Sequence, residues 1–264
     1  MDTIRVCLLK VMPAKGDLAG NMDRLEGLID QIPDCEIDVL ITPEGYLDGY
    51  VSTEVSVDAP NLVQYGVQEG SIYLERAARI AARRAAWLVF GCIDNTVEGP
   101  KNAALIFDRQ GRIAGRYYKV HCQTHDHKYV PGDALPVFES EFGPFGVMIC
   151  ADRRWPETVR TLALQGARVI FNPTYGMHGE RNRQMMQVRS YESELYICFA
   201  HPQQSLITGP KGDVEATLVS NLDHYLIHDL DLSIVDQVRS GPSAHLRDRR
   251  PEVYTLGAPS IETR

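Results

Sequence analysis

Three side chains of unlike chemistry stand where apolar runs stop. Glu44 follows Val39-Leu40-Ile41-Thr42-Pro43, Lys119 follows Arg116-Tyr117-Tyr118, and Cys150 follows Gly146-Val147-Met148-Ile149. Functional groups gather where strands end and loops begin. A thiol becomes a nucleophile only when something takes its proton. A carboxylate held beside it can do so, and can return the proton to a departing amine. An ammonium, with backbone N–H groups, can hold the oxyanion that attack on a carbonyl creates. Taken singly, each residue has a plainer explanation: a cysteine filling a core, a glutamate at a helix start, a surface lysine. Taken together they describe acyl chemistry at a thiol. A serine-based site has no support, because there is no Gly-x-Ser-x-Gly and no serine in a strand–turn–helix context.

Short β-rich apolar runs alternate with amphipathic windows and supply the strand ends. Residues 4–9 predict a first buried strand. Asp17 then caps a helix in which Leu18, Met22, Leu25, Ile29 and Ile32 share one face. A second strand covers 39–42, and a helix covers 70–86 with Tyr73, Ala77, Ile80 and Ala81 inside and Arg76, Arg79 and Arg83 outside. Strand 87–90 precedes a hairpin over 103–107 and 112–118. Further strands are predicted over 137–140, 146–149, 169–171 and 196–200, with helices after Trp155-Pro156-Glu157 and over 183–194. A hairpin over 206–218 and a strand over 224–232 close the pattern. Strand–helix alternation mixed with hairpins predicts an α/β protein with mixed strands, in one domain over residues 1–264. Periodicity does not say how many sheets there are.

Composition excludes several classes of function. The 264 residues are 44% hydrophobic and 23% charged, enough for a sizeable core. Net charge is −8, from 27 basic and 35 acidic residues, and the arginine pairs are scattered, so no nucleic-acid footprint exists. No stretch approaches the roughly 20 apolar residues of a membrane span, and the run behind Met1 is too short for a signal segment. The six cysteines are spread out without a Cys-x-x-Cys pair, as expected of reduced thiols in a cytoplasm. The expected partner is a small-molecule substrate, with neither nucleic acid nor membrane.

Three blocks surround the reactive residues in order: Pro43-Glu44-Gly45-Tyr46, Tyr118-Lys119-Val120-His121, and Cys150-Ala151-Asp152-Arg153-Arg154-Trp155-Pro156-Glu157. Pro131-Gly132-Asp133, Asn172-Pro173, Val188-Arg189-Ser190 with Glu192, and Arg249 to Tyr254 add to them. The chain thereby resembles the nitrilase, or carbon–nitrogen hydrolase, family from Ile4 to Tyr254. The resemblance implies a four-layer α-β-β-α sandwich of two mixed sheets, a homodimer or larger homo-oligomer, and no cofactor or metal. It implies Glu44, Lys119 and Cys150 as the catalytic triad, with the Ala151 N–H joining Lys119 at the oxyanion. Asp152, Arg154 and Glu157 are expected to brace the turn after the cysteine as an ion-pair network. Arg189 and Glu192 would do likewise at i, i+3.

The chain departs from the family pattern in the loop after Lys119. Many members carry a further glutamate there; here the place is His125, within His121-Cys122-Gln123-Thr124-His125-Asp126-His127-Lys128. Either His125 or Asp126 can stand in. Three histidines and a cysteine in seven residues also resemble a metal loop, but no second ligand cluster exists, so a polar substrate-facing loop is the expectation. The Cys block resembles most that of N-carbamoyl-D-amino-acid hydrolases, which points to Arg153 as a bidentate holder of a substrate carboxylate. Tyr50, His121, His125, Asp126, Asn172 and Tyr175, in or beside the matched blocks, complete the expected substrate-binding set. The reading is hydrolysis of a small amide or N-carbamoyl compound through a cysteine thioester. The alternatives are a nitrilase using the same triad and a related binding protein without turnover.

Overall fold

The computed structural model describes residues 2–254. Its strands form two six-stranded sheets. The first joins β1 (Thr3–Lys10), β2 (Val39–Ile41), β3 (Trp87–Thr96), β4 (Gly99–Phe107), β5 (Ile113–Tyr118) and β12 (His224–Asp231), in the order β12-β1-β2-β3-β4-β5. The second joins β6 (Val137–Phe138), β7 (Phe145–Val147), β8 (Val169–Pro173), β9 (Tyr196–Ala200), β10 (Gln204–Thr208) and β11 (Val214–Val219), in the order β11-β10-β9-β8-β7-β6. Each sheet is parallel at its centre and antiparallel towards its edges.

Side-chain alternation divides the core into layers. In β1, Ile4, Val6 and Leu8 face the second sheet and meet Val147, Phe171 and Cys198. Cys7 and Leu9 point the other way, onto Met22, Leu25 and Ile29 of α1 (Leu18–Ile29) and Ala77 and Ile80 of α2 (Ile72–Arg84). The second sheet repeats this: Ile170, Ile197 and Phe199 pack on Val159 and Leu162 of α3 (Pro156–Leu164) and Met186 of α4 (Glu180–Ser193). Strands covered on both faces need apolar residues at nearly every position, which explains their continuous apolar runs. The result is the expected α-β-β-α sandwich.

Local signals set most boundaries. Asp17 caps α1, its carboxylate accepting from the Gly20 N–H at 2.9 Å. Ser71 caps α2, and Ala85 ends it in a left-handed conformation. Helix α5 (Ser233–Ser240), after β12, was not among the expected elements; it buries only Val235. Among the described residues no helix is long and apolar enough to cross a membrane.

Strand direction brings the reactive ends together. β2, β3 and β5 run the same way, so Glu44 and Lys119 leave their sheet at one edge. β7, β8 and β9 are mutually parallel, so Cys150, Thr174 and His201 leave theirs at one edge too. Open parallel sheets bind ligands at the carboxyl ends of their strands, and the same logic applies here. Gly91 in β3 makes room for the exit of Glu44: a Cβ there would lie 2.2 Å from the Pro43 carbonyl oxygen.

Candidate active site

Lys119 is the hub. It leaves β5 with its ammonium 1% exposed, 2.7 Å from Glu44 Oε1 and 2.5 Å from Asp126 Oδ2. Burial alone would lower its pKa, but Glu44, Cys150 and Asp126 together hold it raised, so the charge persists. Glu44 is also fully buried. Its Oε1 accepts from Asn102 Nδ2 at 2.9 Å, and its Oε2 from the Tyr175 N–H at 3.1 Å. Three donors thus fix the carboxylate's position.

The loop after Lys119 answers the question of the second carboxylate. Asp126 is buried, accepts from Lys119, and takes the Tyr50 hydroxyl at 2.7 Å. His125 is further out, 3.0 Å from the Tyr50 oxygen through Nε2. Burial and the nearby charge of Glu44 push the Asp126 carboxyl up, with Lys119 opposing. The three imidazoles diverge: His121 stacks on Trp155 at 4.0 Å, His125 meets Tyr50 edge-on, and His127 is exposed.

Cys150 opens a five-residue 3-10 segment, Cys150–Arg154, with φ of 46°. That conformation is costly for a residue with a Cβ. Five described non-glycine residues have positive φ. Two of them, Ala85 and Glu194, merely end helices, whereas Tyr50, Thr124 and Cys150 line one cavity. Strain is therefore concentrated at this place. The cavity measures about 230 Å³, and Lys119, Asp126, Ala151, Tyr175 and Gly176 share its wall with Cys150. Gly176 approaches closely; a Cβ on it would lie 3.4 Å from Cys150 Sγ. The first bond inside the 3-10 segment runs from the Asp152 N–H to the Ile149 carbonyl, so the N–H groups of Cys150 and Ala151 precede it. Burial pushes the Cys150 thiol up and Glu44 adds to this, while Lys119 and Arg153 oppose. Larger cavities of about 390 and 700 Å³ lie along α3, α4 and α5 and contain none of the three reactive groups.

Four expectations are corrected. Arg153 does not face the cavity: its guanidinium donates to the Cys150 carbonyl, to Asn182 Oδ1 at 2.7 Å and to the Met177 carbonyl at 2.7 Å. Its side chain is 1% exposed and is not part of the cavity wall, so it is not placed to hold a substrate carboxylate there. Arg154, expected to be scaffold, is the exposed arginine at the cavity, bonded only to Gln123 Oε1 at 2.8 Å. In a 3-10 turn residues i and i+3 eclipse, so Arg153 sits under Cys150 and Arg154 shares the face of Ala151. His121 and Asn172 do not line the cavity either. His121 bonds Asp152 Oδ1 at 2.8 Å through Nδ1, and Asn172 donates to the Met148 carbonyl at 2.9 Å. The expected ion-pair network around Asp152 is instead a hydrogen-bond cluster of Tyr117, His121 and the Ile149 N–H. The Arg189–Glu192 pair does form, at 2.9 Å, and Arg189 also donates to the Arg153 and Arg154 carbonyls.

Asn102 had gone unnoticed, and the run His201-Pro202-Gln203-Gln204-Ser205, a second departure from the family pattern, had been open between a pocket wall and a surface turn. Asn102 lies in the apolar β4, and its polarity among Ala103, Ala104 and Leu105 was the available signal. His201 is buried behind the wall, its Nε2 donating to the Tyr175 and Gly176 carbonyls at 2.8 Å each. Its Nδ1 accepts from the Gln203 N–H at 3.0 Å. Burial holds it neutral, with a pKa down at about 4.

Known proteins resemble this chain in sequence or in structure. A "Hydrolase in pqqF 5'region" of Pseudomonas protegens is 31% identical, covering 96% of this chain and 92% of that protein. The N-carbamoylputrescine amidase of Solanum lycopersicum is 29% identical over 59% of this chain and 62% of its own length. The solved carbon–nitrogen hydrolase of Helicobacter pylori G27 superposes with a TM-score of 0.81 at 20% identity, covering 96% and 97% of the two chains. The carbon–nitrogen hydrolase model matches residues 5–240, across both sheets and every strand end that borders the cavity, and the chain belongs to that family.

Proposed function

We propose that this chain is a thiol amidohydrolase that cleaves a non-peptide C–N bond in a small linear amide or N-carbamoyl compound. The observation that carries the reading is the Lys119 ammonium clamped between Glu44 and Asp126 beside a strained Cys150 in one small cavity. Glu44 takes the Cys150 proton, and the thiolate attacks the carbonyl carbon. Lys119 and the Ala151 N–H hold the resulting oxyanion. Collapse breaks the C–N bond, and the leaving nitrogen takes its proton from Glu44. Water, deprotonated by Glu44, then attacks the thioester, releasing the acid and restoring the thiol. Asp126 keeps the Lys119 ammonium aimed, the task of the missing second glutamate.

A cavity of about 230 Å³ admits only a small substrate. Arg154 at its wall favours one with a carboxylate tail, since a guanidinium fork matches that group. The amidase activity named for the Solanum lycopersicum relative agrees with an amide or carbamoyl centre, while a relative from Pyrococcus abyssi is named a nitrilase, so nitriles belong in the test panel. The test is ammonia release from a panel of amides, N-carbamoyl acids and nitriles, with mass spectrometry of the Cys150 peptide. Cys150→Ala should fold normally and lose several orders of magnitude in kcat, and Cys150→Ser should trap or abolish the adduct. Unchanged turnover by Cys150→Ala would refute the reading.

A further inference from the structure

Two cations flank Cys150, and only one has counter-ions. Lys119 stands between two carboxylates. Arg153 is 1% exposed, and its hydrogen-bond partners are an amide and two backbone carbonyls, all neutral. The Phe199 ring covers its guanidinium at 5.5 Å. Burying a charge without a carboxylate costs free energy, and a leucine would fill an internal position more cheaply. The arrangement calls for a return elsewhere.

Its three bonds show where. One goes to the carbonyl of Cys150, the residue held at φ of 46°. One goes to Met177, next to Gly176, where an added Cβ would meet the sulfur at 3.4 Å. One goes to Asn182 in the first turn of α4. We propose that Arg153 is a positioning residue for the nucleophile, locking the Cys150 backbone and the 175–177 loop together while its unneutralised charge favours the thiolate. This rests on the assignment of Cys150 as nucleophile. The other charged and titratable groups around the thiol are Glu44, Lys119, Asp126 and Tyr50 from the first sheet's loops, and Asp152 in its own turn. His178 and His201 also lie near Arg153, with ring centroids 4.6 Å apart, and His201 stays neutral.

Asn182 offers a clean lever. Its Nδ2 is buried without a partner, so Asn182→Asp removes an unmet donor and sets a carboxylate against Arg153. The experiment follows iodoacetamide alkylation of Cys150 against pH in the intact protein, by peptide mass spectrometry, with kcat/KM profiles and thermal unfolding alongside. In Asn182→Asp and in Arg153→Met the alkylation midpoint should rise by about one pH unit, slowing the reaction at pH 7 roughly tenfold. Arg153→Lys, which keeps the charge, should restore part of the shift. A midpoint that stays put in Asn182→Asp, whatever happens to melting temperature, overturns the proposal and leaves Arg153 a brace. If Arg153→Met does not fold, Asn182→Asp alone decides. Turnover surviving in Cys150→Ala would instead remove the nucleophile itself, a separate failure.

Discussion

The two sheets meet the cavity with opposite electrostatic styles. The first brings Glu44, Lys119 and, through its loop, Asp126: three groups at hydrogen-bond distance, each charge answered by another. The second brings Cys150, Tyr175 and His201, where backbone strain, carbonyls and a neutral imidazole set the geometry, and the buried Arg153 has only neutral partners. One side is made to hold charge, and the other to hold shape. The division suits a reaction in which the nucleophile must stay still while proton and oxyanion are managed across from it.

Removing the hub of the charged side should have the largest effect. Lys119→Met leaves Glu44 and Asp126 buried against each other without their cation. Breaking such a cluster costs about 3–5 kcal/mol, and turnover should fall at least a thousandfold. Without Lys119, the group that opposes the upward shift of Asp126, that buried carboxyl would hold its proton more tightly still and its folded pKa would rise further. Stability should recover as pH falls and worsen as it rises, which denaturant titration from pH 5 to 8 would read. A loss independent of pH would mean that the three groups are not coupled as described.

The mouth offers the next test. Arg154→Leu should raise KM for carboxylated substrates by about thirtyfold or more, the worth of roughly 2 kcal/mol for a charge-assisted pair. Neutral amides should be little affected, and Arg153→Lys should not reproduce this selectivity. Equal losses on both substrate types would withdraw the carboxylate.

On the shape-holding side the effect falls on stability and is confined to acid. His201 takes its proton at about 4 in the folded chain, below the ordinary 6.5. Between these values only the unfolded chain is protonated, so stability falls as pH drops from 6.5 towards 4. The full window is worth about 3 kcal/mol. His201→Gln, whose amide can still reach the Tyr175 and Gly176 carbonyls, should flatten that slope in urea titrations. An unaltered acid limb would place the sensitivity elsewhere.

Much of this was legible because it is local. An apolar run that stops at a polar residue marks a strand end wherever the strand goes, and so Glu44, Lys119 and Cys150 announced themselves. Asp17 before an apolar stripe marks a cap for the same reason. The choice between His125 and Asp126 was not legible. Adjacent residues in a loop differ only in which one the packing turns inward, and here Tyr50, 76 residues earlier, receives Asp126. The two arginines were read in reverse for a similar reason. Nothing in Cys-Ala-Asp-Arg-Arg shows that the turn is 3-10, and its three-residue period alone decides which of them lies beneath the thiol and which beside the cavity.

Sequence by itself determined the candidate reactive groups, their order and the strands and helices that carry them, since each shows as a pattern within a dozen residues. Tertiary structure alone decided that residues 44, 102, 126 and 175 would converge on Lys119 and its Glu44 partner. Convergence depends on strand order and register between segments far apart in the chain, where hydrophobic burial sets the pairing and no local pattern records the outcome.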